Sequence, residues 1–159
     1  MKKDILDIAC AIKSLYEKIF DVSQSDNELT EMKMHKLLYF AQKIHFSNFG
    51  EWLFEEEFEG WVHGPVNREV RSEFSTLNNQ DVQLSLDEEY SIREVVFLYG
   101  QKSAIELRNL SHKDNAYEVS REGLGEYDRG NTIIVKEDII ADISKEMQIF
   151  NANDAIAYN

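Results

Sequence analysis

Lys36-Leu37-Leu38-Tyr39-Phe40-Ala41-Gln42, followed by Gly60-Trp61-Val62-His63-Gly64-Pro65-Val66, is the part of the chain whose reading decides the fold. The first segment lies inside a periodic run. Met34, Leu37, Leu38, Ala41, Ile44 and His45 return at helical spacing and mark one buried face. Thr30 is placed to cap this helix, and Asn48-Phe49-Gly50 ends it, with Gly50 suited to a left-handed turn. In the second segment the period drops to two. Phe58, Gly60 and Val62 alternate with Glu57, Glu59 and Trp61, which predicts a strand within 54–62 that packs Trp61 against the core. Pro65 is expected in the first turn of the next helix, whose buried stripe is Val66, Val70, Phe74 and Leu77.

Working outward, Ile5, Ile8, Ile12, Leu15, Tyr16 and Ile19 predict a first helix from Lys3 to Phe20. A polar loop from Ser23 to Glu28 follows it. Asp87 is the expected cap of a helix that runs to Tyr99 and stops at Gly100. Ser103-Ala104-Ile105-Glu106 reads as a capping box opening a helix with Leu107 and Leu110. The β-branched run Thr132 to Val135 is a partner for Phe58–Val62, and a last helix carries Ile139, Ile140, Ile143, Met147 and Phe150. The pattern predicts a mainly α protein: a single compact helical domain of about six helices with a small β element. It occupies 1–159, with a core across about 5–150 and a C-terminal tail at 151–159.

Composition narrows the function. The 43% hydrophobic content, 11% aromatics and single proline describe an ordered globular chain rather than a disordered one. With one cysteine, Cys10, no internal disulfide can form, which favours a reducing compartment. No segment approaches the ~18 apolar residues of a membrane span, and the N-terminus lacks a signal-peptide core. A cytoplasmic protein is expected. The net charge of −13 repels a polyanion, so direct nucleic-acid binding is unlikely, and it suits a basic protein partner.

No familiar set of catalytic groups assembles along the chain. His35 and His45 match no metal-ligand spacing, and convergence of His35, His63 and His112 has no sequence support, so no metal is assigned. Cys10 lies between Ala9 and Ala11 on a helix and reads as a small buried thiol. Glu55-Glu56-Glu57 with Glu59 reads as a solvated, aggregation-resistant edge. The glycines form no phosphate cradle, and no cofactor is expected. The residues argue for a binding module and not an enzyme. The rival within catalysis is a hydrolase in which His63, His112 and an acid meet in an open cleft.

Three blocks in order carry a resemblance: Lys36 to Gln42, Trp61 to Val66, and Leu107 to Asp114 with its Leu110-Ser111-His112 core. Together they resemble the Panacea-domain family, first noted among phage-associated proteins and regarded as antitoxins. The likeness spans about residues 5–150. One departure is plain: Ala116-Tyr117 stands where the family often has proline-tryptophan. The resemblance implies the antitoxin of a toxin–antitoxin pair, which neutralises a cognate toxin encoded by an adjacent gene through direct protein–protein binding. A cellular protease is a further possible partner. The alternatives are a proteolytic adaptor and a phage or host regulatory protein without a dedicated toxin. Lys36, Leu37, Leu38, Trp61, Gly64, Pro65, Leu107 and Leu110 are assigned to the fold. Tyr39, Trp52, His63, His112 and Tyr117 are assigned to partner contact.

Overall fold

The computed structural model describes residues 2–78 and 80–157, with side chains through residue 148. Among these residues seven α-helices surround one small hairpin: α1 (Ile5–Ile19), α2 (Glu31–Phe49), α3 (Arg68–Glu73), α4 (Leu86–Tyr99), α5 (Ala104–His112), α6 (Asn115–Ser120) and α7 (Lys136–Ala157). The hairpin is β1 (Glu59–Trp61) and β2 (Gly64–Val66), antiparallel, with Gly60 opposite Pro65. The fold is mainly α, as its periodicity predicts.

The core forms around α2. Met34, Leu37, Leu38, Tyr39 and Ala41 are fully enclosed, and α1, α4, α5 and α7 all pack on this helix. Thr30 Oγ1 accepts the Lys33 amide at the N-terminus, and Gly50 takes φ 70° at the C-terminus. Both follow the sequence reading. So does the capping box of α5, in which Ser103 and Glu106 exchange hydrogen bonds.

Several boundaries move, each for a local reason. Pro65 is a strand residue of β2, and α3 starts only at Arg68, because the Asn67 carboxamide accepts the Val70 amide and supplies the cap. Ser85 rather than Asp87 caps α4: its hydroxyl receives the Glu88 amide while the Glu88 carboxylate receives the Ser85 amide. α6 went unread since six residues are too few to show a helical period. The expected pairing of 132–135 is a single bridge, Glu59 with Ile133, flanked by Gly60 N–H to Thr132 O at 2.9 Å and Ile134 N–H to Phe58 O at 2.8 Å. Helix α7 continues to Ala157, through residues read as a tail, and Met147 lies exposed on it. The Phe150 side chain lies outside the described residues.

Candidate partner-binding site

α2 carries an unusual load of polarity for a central helix. Lys33, His35, Lys36, Gln42, Lys43 and His45 are all buried. Most are satisfied. Lys33 Nζ donates to Gly100 O at 2.6 Å and to the Tyr16 hydroxyl at 2.9 Å. Gln42 bonds the backbone of Leu53 and Phe54, and His45 Nδ1 pairs with Ser91 Oγ at 2.8 Å. Lys43 Nζ meets Asp114 Oδ2 at 2.8 Å and Glu146 Oε1 at 2.8 Å, and the Tyr39 hydroxyl donates to the same Asp114 oxygen. His35 sits with Nε2 3.2 Å from Glu31, and burial lowers its pKa to about 4, so it is neutral at physiological pH.

Lys36 differs. Only 1% of its surface is exposed, yet among the described residues its ammonium makes no hydrogen bond or ion pair. Gly64, at φ 121°, brings β2 so close that an added Cβ would lie 3.2 Å from Lys36 Cε and 3.1 Å from Ser111 Oγ. A side chain at 64 is therefore disfavoured by backbone strain and crowded by these two neighbours. Burial first, then the neighbouring Arg108 charge, brings the Lys36 pKa down to about 8 against a weaker pull from Glu31.

The hairpin, α5, α6 and the following loop border an open cleft of about 370 Å³. Its walls include Val62, Arg108, His112, Tyr117, Glu118 and Arg121. Arg121 is fully engaged: Nη1 donates to Gly60 O at 3.3 Å, and Nη2 donates to Gly125 O at 3.0 Å and Asp128 O at 2.7 Å, which ties the loop to β1. Arg108 has no such partners. Its Nε is enclosed without an acceptor, and its guanidinium forms no ion pair among the described residues.

His112 and Tyr117 meet at the cleft wall, with ring centroids 4.4 Å apart. His112 Nδ1 lies 2.8 Å from Arg108 O, and Nε2 lies 3.1 Å from both Val62 O and the Tyr117 hydroxyl. The Tyr117 hydroxyl donates to Trp61 O at 2.5 Å. Two ring nitrogens facing two carbonyls suit an imidazolium, which has two donors. Burial opposes that charge, as do Arg108 and Lys36, and the His112 pKa falls below the ordinary value. Burial likewise raises the Tyr117 phenol.

The expected contact residues divide accordingly. His112 and Tyr117 come together at the cleft, and His63 is exposed in the hairpin turn but does not line it. Tyr39 is not a surface residue: it is fully enclosed, because its hydroxyl has a buried acceptor in Asp114. Trp52 packs half-buried on Phe46 with centroids 4.4 Å apart. Trp61, read as core, is half-buried at the surface instead, under the guanidinium of Arg71 at 5.1 Å and that of Arg68 at 5.9 Å. Its strand has one covered face only in part, so alternation did not bury the indole. Leu37, Leu38, Gly64, Pro65 and Leu107 are buried as the fold requires, and Leu110 is half-buried.

Sequence reasoning missed Arg108 and Arg121, which stand alone among residues of no distinctive pattern. It also missed the exposed aromatics Tyr90 and Phe97 of α4 and Tyr127 of the 121–130 loop. Lys36 offered a usable signal, a lysine between apolar positions of a core-facing helix. A metal reading finds no cluster of three ligating side chains among the described residues. No helix there is long and apolar enough to cross a membrane.

The segment that supplies α2, the hairpin and the His112–Tyr117 wall is also the segment with known relatives. Residues 34–118 match the family described as antitoxin SocA-like, Panacea domain. The match covers more than half of the chain, and the protein belongs to that family of antitoxins. It is narrower than the 5–150 span of the resemblance and leaves out α1 and α7. No curated protein and no solved structure matches the chain.

Proposed function

We propose that this antitoxin works by direct contact, holding a cognate toxin encoded by a neighbouring gene inactive in a stoichiometric cytoplasmic complex. The observation that carries the reading is the family match itself, because residues 34–118 also build the hairpin and most of the cleft. Masking needs a shaped, rigid surface and no chemistry of its own. The hairpin wall supplies one: Tyr117 and His112 are pinned to the carbonyls of Trp61 and Val62. Those same bonds occupy the groups that a hydrolase would need free, and Glu118 makes no bond to His112. The net charge of −13 steers a basic partner toward this surface and acts chiefly on association rate.

Co-expression with the product of the adjacent gene tests the reading. Growth rescue with co-purification of a stoichiometric complex is the expected result. Rescue without a complex points to delivery to a protease, and a harmless neighbour removes the toxin from the account. The steering component predicts that the association rate falls as salt rises. A rate indifferent to ionic strength refutes it.

A further inference from the structure

Arg108 lines the cleft, and the buried Lys36 lies near enough for the two charges to repel. Arg108 reaches the cleft from α5 with Nε enclosed and unbonded. The Lys36 ammonium is buried behind it, under Gly64 and Ser111. Elsewhere the chain satisfies its enclosed cations. Lys33 has a carbonyl and a phenol, and Lys43 has two carboxylates, while even the half-buried Arg121 has three carbonyls. Composition is no obstacle to doing the same here, since acidic residues outnumber basic ones 30 to 17. An enclosed donor without an acceptor destabilises the folded state, and more so when charged. The enclosed Nε is out of reach from the cleft, so a ligand there meets Arg108 through its two Nη groups, which have no acceptor among the described residues.

We infer that Arg108, backed by Lys36 and flanked by His112, is the seat for one carboxylate of the bound partner, an aspartate or glutamate side chain that docks in the cleft. The planar guanidinium fork matches a carboxylate in two-point contact. Glu118 and Glu126 stand on the cleft wall, so a phosphate dianion meets about twice the repulsion that a carboxylate does. The seat is also narrow in charge: one anion against a guanidinium at the surface, with a second positive charge largely buried behind it. An incoming carboxylate favours the imidazolium of His112, whose two nitrogens then both donate to Arg108 O and Val62 O. That the carboxylate belongs to the toxin rests on the function proposed above; that the seat takes a carboxylate does not.

The test has two independent arms. In the first, the isolated chain is titrated with acetate, and separately with inorganic phosphate, at constant ionic strength. The Arg108 Nε–H resonance and the His112 pKa are followed by NMR. Saturable movement of the resonance and a rise in the His112 pKa with acetate are expected, and Arg108→Gln abolishes both. Phosphate binding more tightly than acetate overturns the carboxylate assignment. Movement by neither, or movement that survives Arg108→Gln, overturns the seat. In the second arm, the complex with the adjacent gene product is measured for wild type, Arg108→Gln and Arg108→Lys, with circular dichroism confirming each fold. A loss of at least about tenfold in affinity is expected for Arg108→Gln, with partial recovery in Arg108→Lys. Unchanged affinity overturns the partner's use of the seat. Failure of the wild-type chain to bind or rescue refutes the function instead, and leaves the acetate result standing.

Discussion

Lys36 and Lys43 lie two turns apart on α2, both buried, and the chain treats them in opposite ways. Lys43 closes a network: two carboxylates at 2.8 Å, with Tyr39 bonded to the first of them. Burial disfavours its charge, but Asp114 and Glu146 outweigh it and the Lys43 pKa rises. Lys36 has no bonded anion: burial and the Arg108 charge outweigh the weaker pull of Glu31, and its pKa falls to about 8. A buried charge that is paired joins α2 to α6 and α7 and serves the fold. A buried charge left bare weakens the fold and stores binding energy for something outside it. On the function proposed above, the difference separates the part of the molecule that holds its shape from the part that meets a partner.

The comparison breaks most visibly at Asp114. Asp114→Asn removes one partner of an enclosed ion pair and is expected to cost about 3–5 kcal/mol in urea denaturation. A loss below about 1 kcal/mol means that Glu146 alone suffices and the network is not closed in the sense argued here. Lys36→Met is expected to do the reverse and raise stability at pH 7. The size follows from titration. The unfolded lysine has a pKa near 10.5 and the folded one about 8, so between these values the unfolded chain binds more protons. Wild-type stability therefore rises with pH across that window, by roughly 3 kcal/mol in full. Lys36→Met lacks this rise, which denaturation at pH 7.5 and pH 10 checks by difference; parallel curves for the two proteins dispose of the bare-charge account.

Smaller effects sharpen the same boundary. Tyr117→Phe loses the bond to Trp61 O and leaves that carbonyl without its donor, at a cost of about 1–2 kcal/mol in thermal unfolding. It also loosens the hairpin wall, so partner affinity falls with it. Arg108→Gln is expected to raise stability by about 1 kcal/mol, since it removes an enclosed, charged donor that has no acceptor in the free protein. A substantial loss there assigns Arg108 to the fold and removes the contrast with Lys43.

How much of this was legible beforehand varies with the distance over which each feature is determined. Periodicity over many residues identified α1, α2 and α4, and paired local signals located the caps of α2 and α5. These features depend on neighbours within about one helical turn, which sequence displays directly. Pro65 was misplaced because a proline suits both an edge strand and a helix start, and only the hairpin register chose between them. Tyr39 was misread as a contact because the tyrosine gives no sign of its acceptor, which lies 75 residues away at Asp114.

By itself, then, the sequence determined a mainly helical domain, the run of α2 through its centre, and the ordered blocks that mark the Panacea family. Hydrophobic spacing and capping chemistry are local, so they survive being read in one dimension. Only the tertiary structure decided which cations are paired. Lys36, Lys43 and Arg108 look alike along the chain, and their difference arises where α2, β2 and α5 meet: Asp114 reaches one lysine, and no carboxylate reaches the other or the arginine. An ion pair is a matter of a few ångströms between residues far apart in sequence, and packing sets those distances.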